Sequence, residues 1–316
     1  MKVSNVEETI KKIEEVRKEV EDYIKKEIKE EDLLQEFLKF NNELALFLVN
    51  HIEKYGKNLD TIHIYKPKSV EEYYEIIKEK IILGSHLEII RNEANKIREK
   101  ITDEWDTDKI YFPKDFNEYK NNSWKYILVA KEIEKYIRNK INYVSEPDDI
   151  IYSVQKILEQ GYGDCDDFAV ILSSFFRSLN FKVGIGFLKN HVFSSVILPT
   201  AEVYEDKEEI RIRFVIVPAD NIRFKLSSFE EELTIYDLLN FFSKVREKIV
   251  KLVLQGDKRI VKELNEIKEN LKYYSEAKFF PIPPLEYREI KEFMNLDELM
   301  NKMLDDINLI IQYNER

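Results

Sequence analysis

Residues 161–183 read GYGDCDDFAVILSSFFRSLNFKV, a run that opens on a glycine-rich turn and continues with apolar residues at helical spacing. The only cysteine of the chain, Cys165, stands where the turn meets this apolar pattern. Asn180 is a residue type that tolerates the left-handed conformation found just after many helices. The stretch therefore predicts a helix that begins at Cys165, buries one apolar face and ends before Asn180. That face consists of Phe168, Leu172, Phe175 or Phe176, and Leu179.

The distribution of glycine singles out the same part of the chain. Only 7 of the 316 residues are glycine, a share of about 2% where about 7% is usual. Four of them fall close together, at Gly161, Gly163, Gly184 and Gly186. In a chain that avoids flexible backbone, these are predicted to be positions where a side chain is not tolerated.

Alternating apolar residues after this helix predict three strands, over residues 183–187, 191–198 and 210–216. We expect residues 199–209 to form a polar hairpin loop that joins the last two strands. Pairing Leu198 with Ile210 in antiparallel register would then bring Asp220 to the same end of the sheet as His191.

Helical patterns precede the sheet. Before residue 107, apolar residues recur at spacings of three and four, and helix-capping pairs occur at Ser4/Glu7 and Ser69/Glu72. Two further helices are predicted over residues 124–144 and 148–160, the second ending at Gly161.

Helical patterns also follow the sheet, beginning with a possible capping pair at Ser227 and Glu230. They are interrupted by FFPIPP at residues 279–284. Because prolines restrict the backbone, this segment is a candidate lid that presents Phe279 or Phe280 as a rigid wall of the cleft, or else a spacer between two helices.

The chain is therefore predicted to have an α+β fold in three regions. They are a helical N-terminal region (1–107), a core with an antiparallel sheet (108–226) and a helical C-terminal region (227–316).

The charge balance argues against general binding of nucleic acids. The chain has 50 Lys and Arg residues against 61 Asp and Glu residues, a net charge of −11 that repels phosphate backbones. Its richness in Lys, Glu and Ile is typical of thermophilic proteins, in which charged networks cost less to desolvate at high temperature.

Hydrophobic patterning and cysteine content predict a cytoplasmic protein with no membrane partner. No apolar run reaches the roughly 18 residues that span a bilayer, and the first forty residues are too rich in Glu and Lys for a secretory signal. The single cysteine, Cys165, excludes an internal disulfide and a zinc site built from several thiolates. No cofactor or metal is expected, and His51, His63 and His86 lack a second ligand at metal-binding spacing.

The position of Cys165 favours chemical reactivity. At a helix N-terminus, free backbone N–H groups and the helix dipole favour the thiolate over the thiol. His191 begins a strand, and the hairpin positions Asp220 to accept a hydrogen bond from one ring nitrogen of His191. This is the arrangement of an activated nucleophile.

Four sequence blocks strengthen this interpretation: GDCDDFA (163–169), FFRSLNFKVGIGF (175–187), NHVF (190–193) and VPADN (217–221). Together they resemble the transglutaminase-like superfamily of papain-like cysteine enzymes. The resemblance implies a papain-like core in which Cys165 is the nucleophile, His191 the general base and acid, and Asp220 the residue that orients His191. The implied reaction is acyl transfer from an amide bond to water or to an amine.

We expect hydrolysis of a peptide or protein substrate, because nothing in the sequence indicates a water-excluding tunnel for an acceptor lysine. Two alternatives stay open. The protein could be a cross-linking transglutaminase, or a scaffold that binds a protein partner through its N-terminal helices and keeps the core as a relic.

Several residue assignments also stay open. Asn221 is a second candidate for orienting His191. The side-chain donor of an oxyanion site could be Gln155, Gln160, Tyr162 or Trp124, although core packing is the expected role of Trp124. Some bacterial proteins that this motif is similar to depend on calcium, so the resemblance makes Asp164, Asp166 and Asp167 possible ligands. Helix capping or exposure is the expected role of these carboxylates.

Overall fold

The computed structural model describes residues 69–111, 116–145, 150–204, 209–239, 244–283, 293–294 and 296–314. The predicted cap at Ser4/Glu7, the side chains of His51 and His63, and most of the proposed partner-binding helices lie outside the described residues. Residues 64–316 form one compact unit.

The helices of this unit are α1 (Val70–His86), α2 (Glu88–Glu99), α3 (Asp108–Tyr111), α4 (Phe116–Lys140), α5 (Val154–Gln160), α6 (Cys165–Ser178), α7 (Ile235–Leu239), α8 (Lys244–Leu254), α9 (Lys258–Ser275) and α10 (Leu296–Asn314). The strands are β1 (Asn142–Tyr143), β2 (Tyr162–Gly163), β3 (Val183–Leu188), β4 (His191–Tyr204), β5 (Glu209–Ala219), β6 (Arg223–Phe224), β7 (Leu233–Thr234), β8 (Lys278–Pro281) and β9 (Phe293–Met294). The predicted α+β class is confirmed. None of the described helices is long and apolar enough to cross a membrane.

Helix α6 begins at Cys165 as predicted and lies at the centre of the unit. The Asp164 side chain caps the helix by accepting the Asp166 N–H at 3.3 Å, and Asn180 adopts the left-handed conformation with φ 62°. Residues 166–176 are all buried. Helix α1 and strand β4 both pack against α6, so this helix is buried well beyond the single face that was predicted.

The main sheet has five strands in the order β8-β3-β4-β5-β9, antiparallel except for the pairing of β5 with β9. The predicted register of β4 and β5 is wrong, because Leu198 pairs with Val215 instead of Ile210. Both strands continue into the acidic segment that was predicted as a loop, where Thr200, Val203 and Tyr204 are residue types with high strand propensity. In the observed register Ser194 faces Ala219, which still brings Asp220 to the start of β4.

The prediction that residues 279–284 form a lid or a spacer is wrong for residues 279–281, because they belong to the edge strand β8, which pairs with β3. The Phe280 ring stacks on Tyr74 at 4.9 Å and meets Phe187 edge-on at 5.4 Å. Phenylalanine has a high strand propensity, and the apolar contact between Phe280 and Phe187 of β3 fixes β8 in the sheet.

The glycines near α6 occupy crowded or left-handed positions, as predicted. A Cβ at Gly184 would lie 2.2 Å from the Phe279 ring, and one at Gly186 would lie 2.3 Å from the Phe193 ring. A Cβ at Gly163 would lie 2.6 Å from the Asp167 Cβ. Gly161 has open space but a φ of +71°, which ends α5 in the left-handed conformation.

The regions on either side of the core differ in how well they were predicted. The Ser69 side chain caps α1 by accepting the Glu72 N–H at 3.2 Å, as expected. The capping pair at Ser227 and Glu230 is wrong, since no helix begins there and the Ser227 N–H donates instead to Glu263. Helices α4 and α5 match the two predicted before Cys165 with shifted ends. The division at residues 107 and 226 stays a prediction.

Candidate active site

Cys165 is the first residue of α6, and its free thiol is half-buried. The first N–H groups of a helix have no carbonyl partner within the helix, so this end of α6 favours a negative charge on the sulfur. The turn before the helix is fixed by Asp164 as its cap and by the parallel pairing of Tyr143 with Gly163.

His191 and Asp220 meet at one end of the main sheet. His191 is the first residue of β4, and Asp220 follows the last residue of β5. The two side chains are hydrogen-bonded, with His191 Nε2 2.6 Å from Asp220 Oδ2. The other candidate, Asn221, lies elsewhere: its side chain accepts a hydrogen bond from Arg223 Nε at 2.7 Å. The structure therefore brings Asp220, and not Asn221, to the imidazole.

The surroundings of His191 favour its charged form. The hydrogen bond with Asp220 and then the one with Cys165 raise the pKa of His191 to about 9, although partial burial opposes them. Because Asp220 occupies Nε2, the other ring nitrogen, Nδ1, is left for the thiol. The three residues singled out in the sequence thus form one chain of contacts.

Two further side chains bind Asp220 and were not found by sequence reasoning. Tyr274, on α9, donates its hydroxyl to Asp220 Oδ2 at 2.8 Å. Arg138, on α4, places Nη2 3.6 Å from Asp220 Oδ1, and its guanidinium lies 4.3 Å from the centroid of the Phe168 ring. Arg138 and Tyr274 resemble many other Arg and Tyr residues on charged helices, so nothing local in the sequence marks them.

The backbone next to Asp220 is anchored by a hydrogen bond to a buried carboxyl. Asn221 adopts a left-handed conformation with φ 53°, and its N–H donates to Glu134 Oε1 at 2.8 Å. Glu134 is buried, and burial raises the pKa of this carboxyl despite the nearby Arg138 guanidinium. This anchor fixes the direction in which the chain leaves β5.

Aromatic rings surround the candidate site. Phe193 is buried and stacks on the His191 ring at 5.9 Å with an interplanar angle of 28°. Tyr143 is 58% exposed and its ring lies 6.0 Å from Phe168, one turn after Cys165. The Tyr143 backbone pairs with Gly163, two residues before Cys165, so this tyrosine lies at the rim of the site. Burial and then interaction with Cys165 raise the pKa of Tyr143.

The acidic residues beside Cys165 are mostly internal. One side-chain oxygen from each of Asp164, Asp166 and Asp167 lies within 4.8 Å of the other two. The predicted capping role is confirmed for Asp164, but exposure is wrong for Asp166 and Asp167, which are 1% and 0% exposed. Tyr73 donates its hydroxyl to Asp166, and Asp167 Oδ1 accepts the Tyr152 N–H at 2.9 Å.

Burial and mutual repulsion shift the titration of this acidic cluster. Burial and then interaction with Asp164 raise the pKa of Asp166 far above its ordinary value, so this carboxyl holds a proton at neutral pH. Burial lowers the pKa of Lys80, while the nearby Asp167 carboxylate opposes that effect.

Asp166 gives a prediction about stability. Its pKa is higher in the folded chain than the ordinary value of 3.8, so folding binds a proton and the free energy of unfolding falls as pH rises above about 4. Asparagine is isosteric with the neutral carboxyl and has no proton to lose. We expect Asp166→Asn to raise the melting temperature by more at pH 8 than at pH 5, whereas Asp103→Asn, at an exposed position, should change neither. An equal effect of Asp166→Asn at both pH values would contradict the assignment.

The other side chains considered in the sequence have different partners. Gln155 donates to Glu159 at 3.0 Å, and Gln160 donates to the carbonyl of Tyr162 at 2.8 Å. Trp124 is 40% exposed, so its predicted role in core packing is wrong. His86 ends α1, where burial and the nearby Arg177 guanidinium lower its pKa to about 4. The backbone N–H of Cys165, the first of helix α6, stays a candidate oxyanion donor because it has no carbonyl partner within the helix.

Comparison with known proteins gives one match. No curated protein and no solved structure matches the chain. A family model matches residues 114–204, a segment that contains Cys165 and His191 and stops before Asp220. Residues 114–204 thus match the transglutaminase-like superfamily, and the resemblance seen in the sequence is confirmed for this segment.

Proposed function

We propose that this protein is a cysteine-dependent enzyme that hydrolyses an amide bond of a peptide or protein. The observation that carries the proposal is the contact chain at His191, whose imidazole binds Asp220 at 2.6 Å on one nitrogen and pairs with the Cys165 thiol on the other. A helix with the cysteine at its N-terminus, packed on a mainly antiparallel sheet with the histidine at a strand end, supports a papain-like core.

The first half of the reaction forms an acyl-enzyme. The Cys165 thiolate attacks the amide carbonyl carbon, and the oxygen of the tetrahedral intermediate takes the negative charge. The backbone N–H of Cys165, at the start of α6, stabilises that charge. The His191 imidazolium then donates its proton to the nitrogen, the C–N bond breaks and the amine leaves.

The second half restores the enzyme. Water attacks the thioester carbonyl, and the neutral His191 imidazole accepts a proton from that water. The C–S bond breaks, the carboxylic acid leaves and the thiolate–imidazolium pair is formed again. The role of Asp220 throughout is to orient the imidazole and to stabilise its charged form.

The test is incubation of the protein with a mixture of unstructured peptides in water enriched in oxygen-18, followed by mass spectrometry. Hydrolysis predicts new peptide ends that carry the heavy isotope, together with an acyl adduct on Cys165. A parallel reaction with a small primary amine detects transamidation, which would give amides in place of acids and support a cross-linking enzyme. The absence of both products and of the adduct would overturn the proposal and favour a non-catalytic scaffold.

A further inference from the structure

We infer that Tyr274, on the C-terminal helix α9, is a positioning residue that sets the orientation and charge of the Asp220–His191 pair. The inference rests on the proposed function and assigns part of the site to a region outside the family match, which covers residues 114–204. The C-terminal region would then be a functional part of the enzyme.

The geometry around Asp220 supports this assignment. Tyr274 donates to Oδ2 of Asp220 at 2.8 Å, the same oxygen that accepts from His191 at 2.6 Å. Arg138 approaches the other oxygen at 3.6 Å. The carboxylate is therefore held by donors from α9, β4 and α4. A group bonded on both oxygens cannot rotate without breaking at least one of these contacts.

Tyr274, Phe193, His191 and Asp220 form a closed circuit of contacts, in which each side chain touches the next. Tyr274 meets the Phe193 ring edge-on at 5.2 Å and 82°, and Phe193 stacks on His191 at 5.9 Å. His191 then returns to Tyr274 through Asp220. Each member of the circuit is fixed by two neighbours, so the imidazole plane is defined by packing as well as by hydrogen bonding.

Helix α9 is anchored firmly enough to hold this tyrosine in place. Its buried face consists of Ile260, Leu264, Ile267 and Leu271, and α10 packs against it. The next residue towards the N-terminus, Tyr273, is 48% exposed. Burial and then the Asp220 charge raise the pKa of Tyr274, so its hydroxyl keeps its proton and acts as a donor over the working pH range.

The shared oxygen determines the sign of the effect on His191. The hydrogen bond from Tyr274 partly offsets the negative charge on Asp220 Oδ2. Less of that charge is then available to stabilise the His191 imidazolium. Without the Tyr274 hydroxyl, Asp220 Oδ2 accepts a hydrogen bond from His191 alone. The His191 imidazolium should then hold its proton to a higher pH. Removing Asp220 should do the opposite. The other groups that bear on the pair are Cys165 on α6, Arg138 and Glu134 on α4, and Tyr143 on β1, and all of them remain in the variant.

The experiment is the pH dependence of alkylation by iodoacetamide, followed by intact mass. Cys165 is the only cysteine in the chain, so the modification reports this thiol alone. A thiolate–imidazolium pair gives two steps: a low-pH step where the pair forms, and a high-pH step where the imidazolium loses its proton. We expect Tyr274→Phe to move the high-pH step upward by about one pH unit.

Two controls make the result decisive. Tyr273→Phe should leave both steps unchanged, and Asp220→Ala should move the high-pH step downward. A merely structural role for Tyr274 would loosen the site and shift that step in the same direction as Asp220→Ala. Such a downward shift, or no shift, would overturn the inference while leaving the proposed function intact. A wild-type profile without two steps, insensitive to Asp220→Ala, would overturn the proposed function itself.

Discussion

Replacing Cys165 with alanine should lower the rate of peptide hydrolysis by about four to six orders of magnitude, the scale seen when a covalent nucleophile is removed. The chain has no second cysteine that could substitute. Stability should change little, because Cys165 is half-buried at the start of α6 and alanine is a good helix former. We therefore expect a melting temperature within a few degrees of wild type. The measurements are the peptide assay and thermal unfolding of both proteins.

Cys165→Ser provides the matched variant, since it keeps a side chain of similar shape. A serine hydroxyl does not ionise beside a histidine as a thiol does, so this variant should also lose hydrolysis. If Cys165→Ala unfolds the protein and the wild-type thiol shows ordinary reactivity, Cys165 is a structural residue.

Replacing Asp220 with alanine should slow hydrolysis by roughly two to four orders of magnitude, as expected when the residue that orients a catalytic histidine is lost. The Asp220 hydrogen bond is the largest contribution to the raised pKa of His191. The sign follows directly: without Asp220 the imidazolium loses its proton at a lower pH, so the alkaline limb of the activity profile moves downward. Asp220→Asn should keep more of the geometry but would not restore the charge. The pH dependence of hydrolysis measures all of these effects.

The control for this variant is the neighbouring residue. Asn221 has a φ of 53°, so alanine there would add backbone strain, whereas glycine removes the side chain without it. Asn221→Gly should keep the hydrogen bond from the backbone N–H to Glu134 and should leave the pH profile unchanged. A large loss of activity in Asn221→Gly beside a nearly silent Asp220→Ala would exchange the roles of the two residues.

The parts of the site that could be predicted depend on local signals. A polar turn followed by apolar residues at helical spacing marks the start of α6, and it places Cys165 at a helix N-terminus. His191 and Asp220 follow from the ends of two alternating strands. The predicted register was wrong, yet Asp220 still reaches His191, because both residues lie near the same end of the hairpin in either register.

The remaining parts could not be predicted because they depend on contacts between distant segments. Tyr274 and Tyr73 bind Asp220 and Asp166 across 54 and 93 residues. The sequence predicts a proline-rich turn where strand β8 forms, because the strand character of this segment depends on pairing with β3. Tertiary packing decides such elements, and a local pattern does not contain it.

The most direct test of the account is the pH dependence of Cys165 alkylation in the wild-type protein. An activated thiolate–imidazolium pair predicts two steps separated by a plateau, with the upper step near pH 9, where His191 loses its proton. A single step centred near about 8.5, the value of an ordinary free thiol, would mean that Cys165 has no activating partner and would contradict the account.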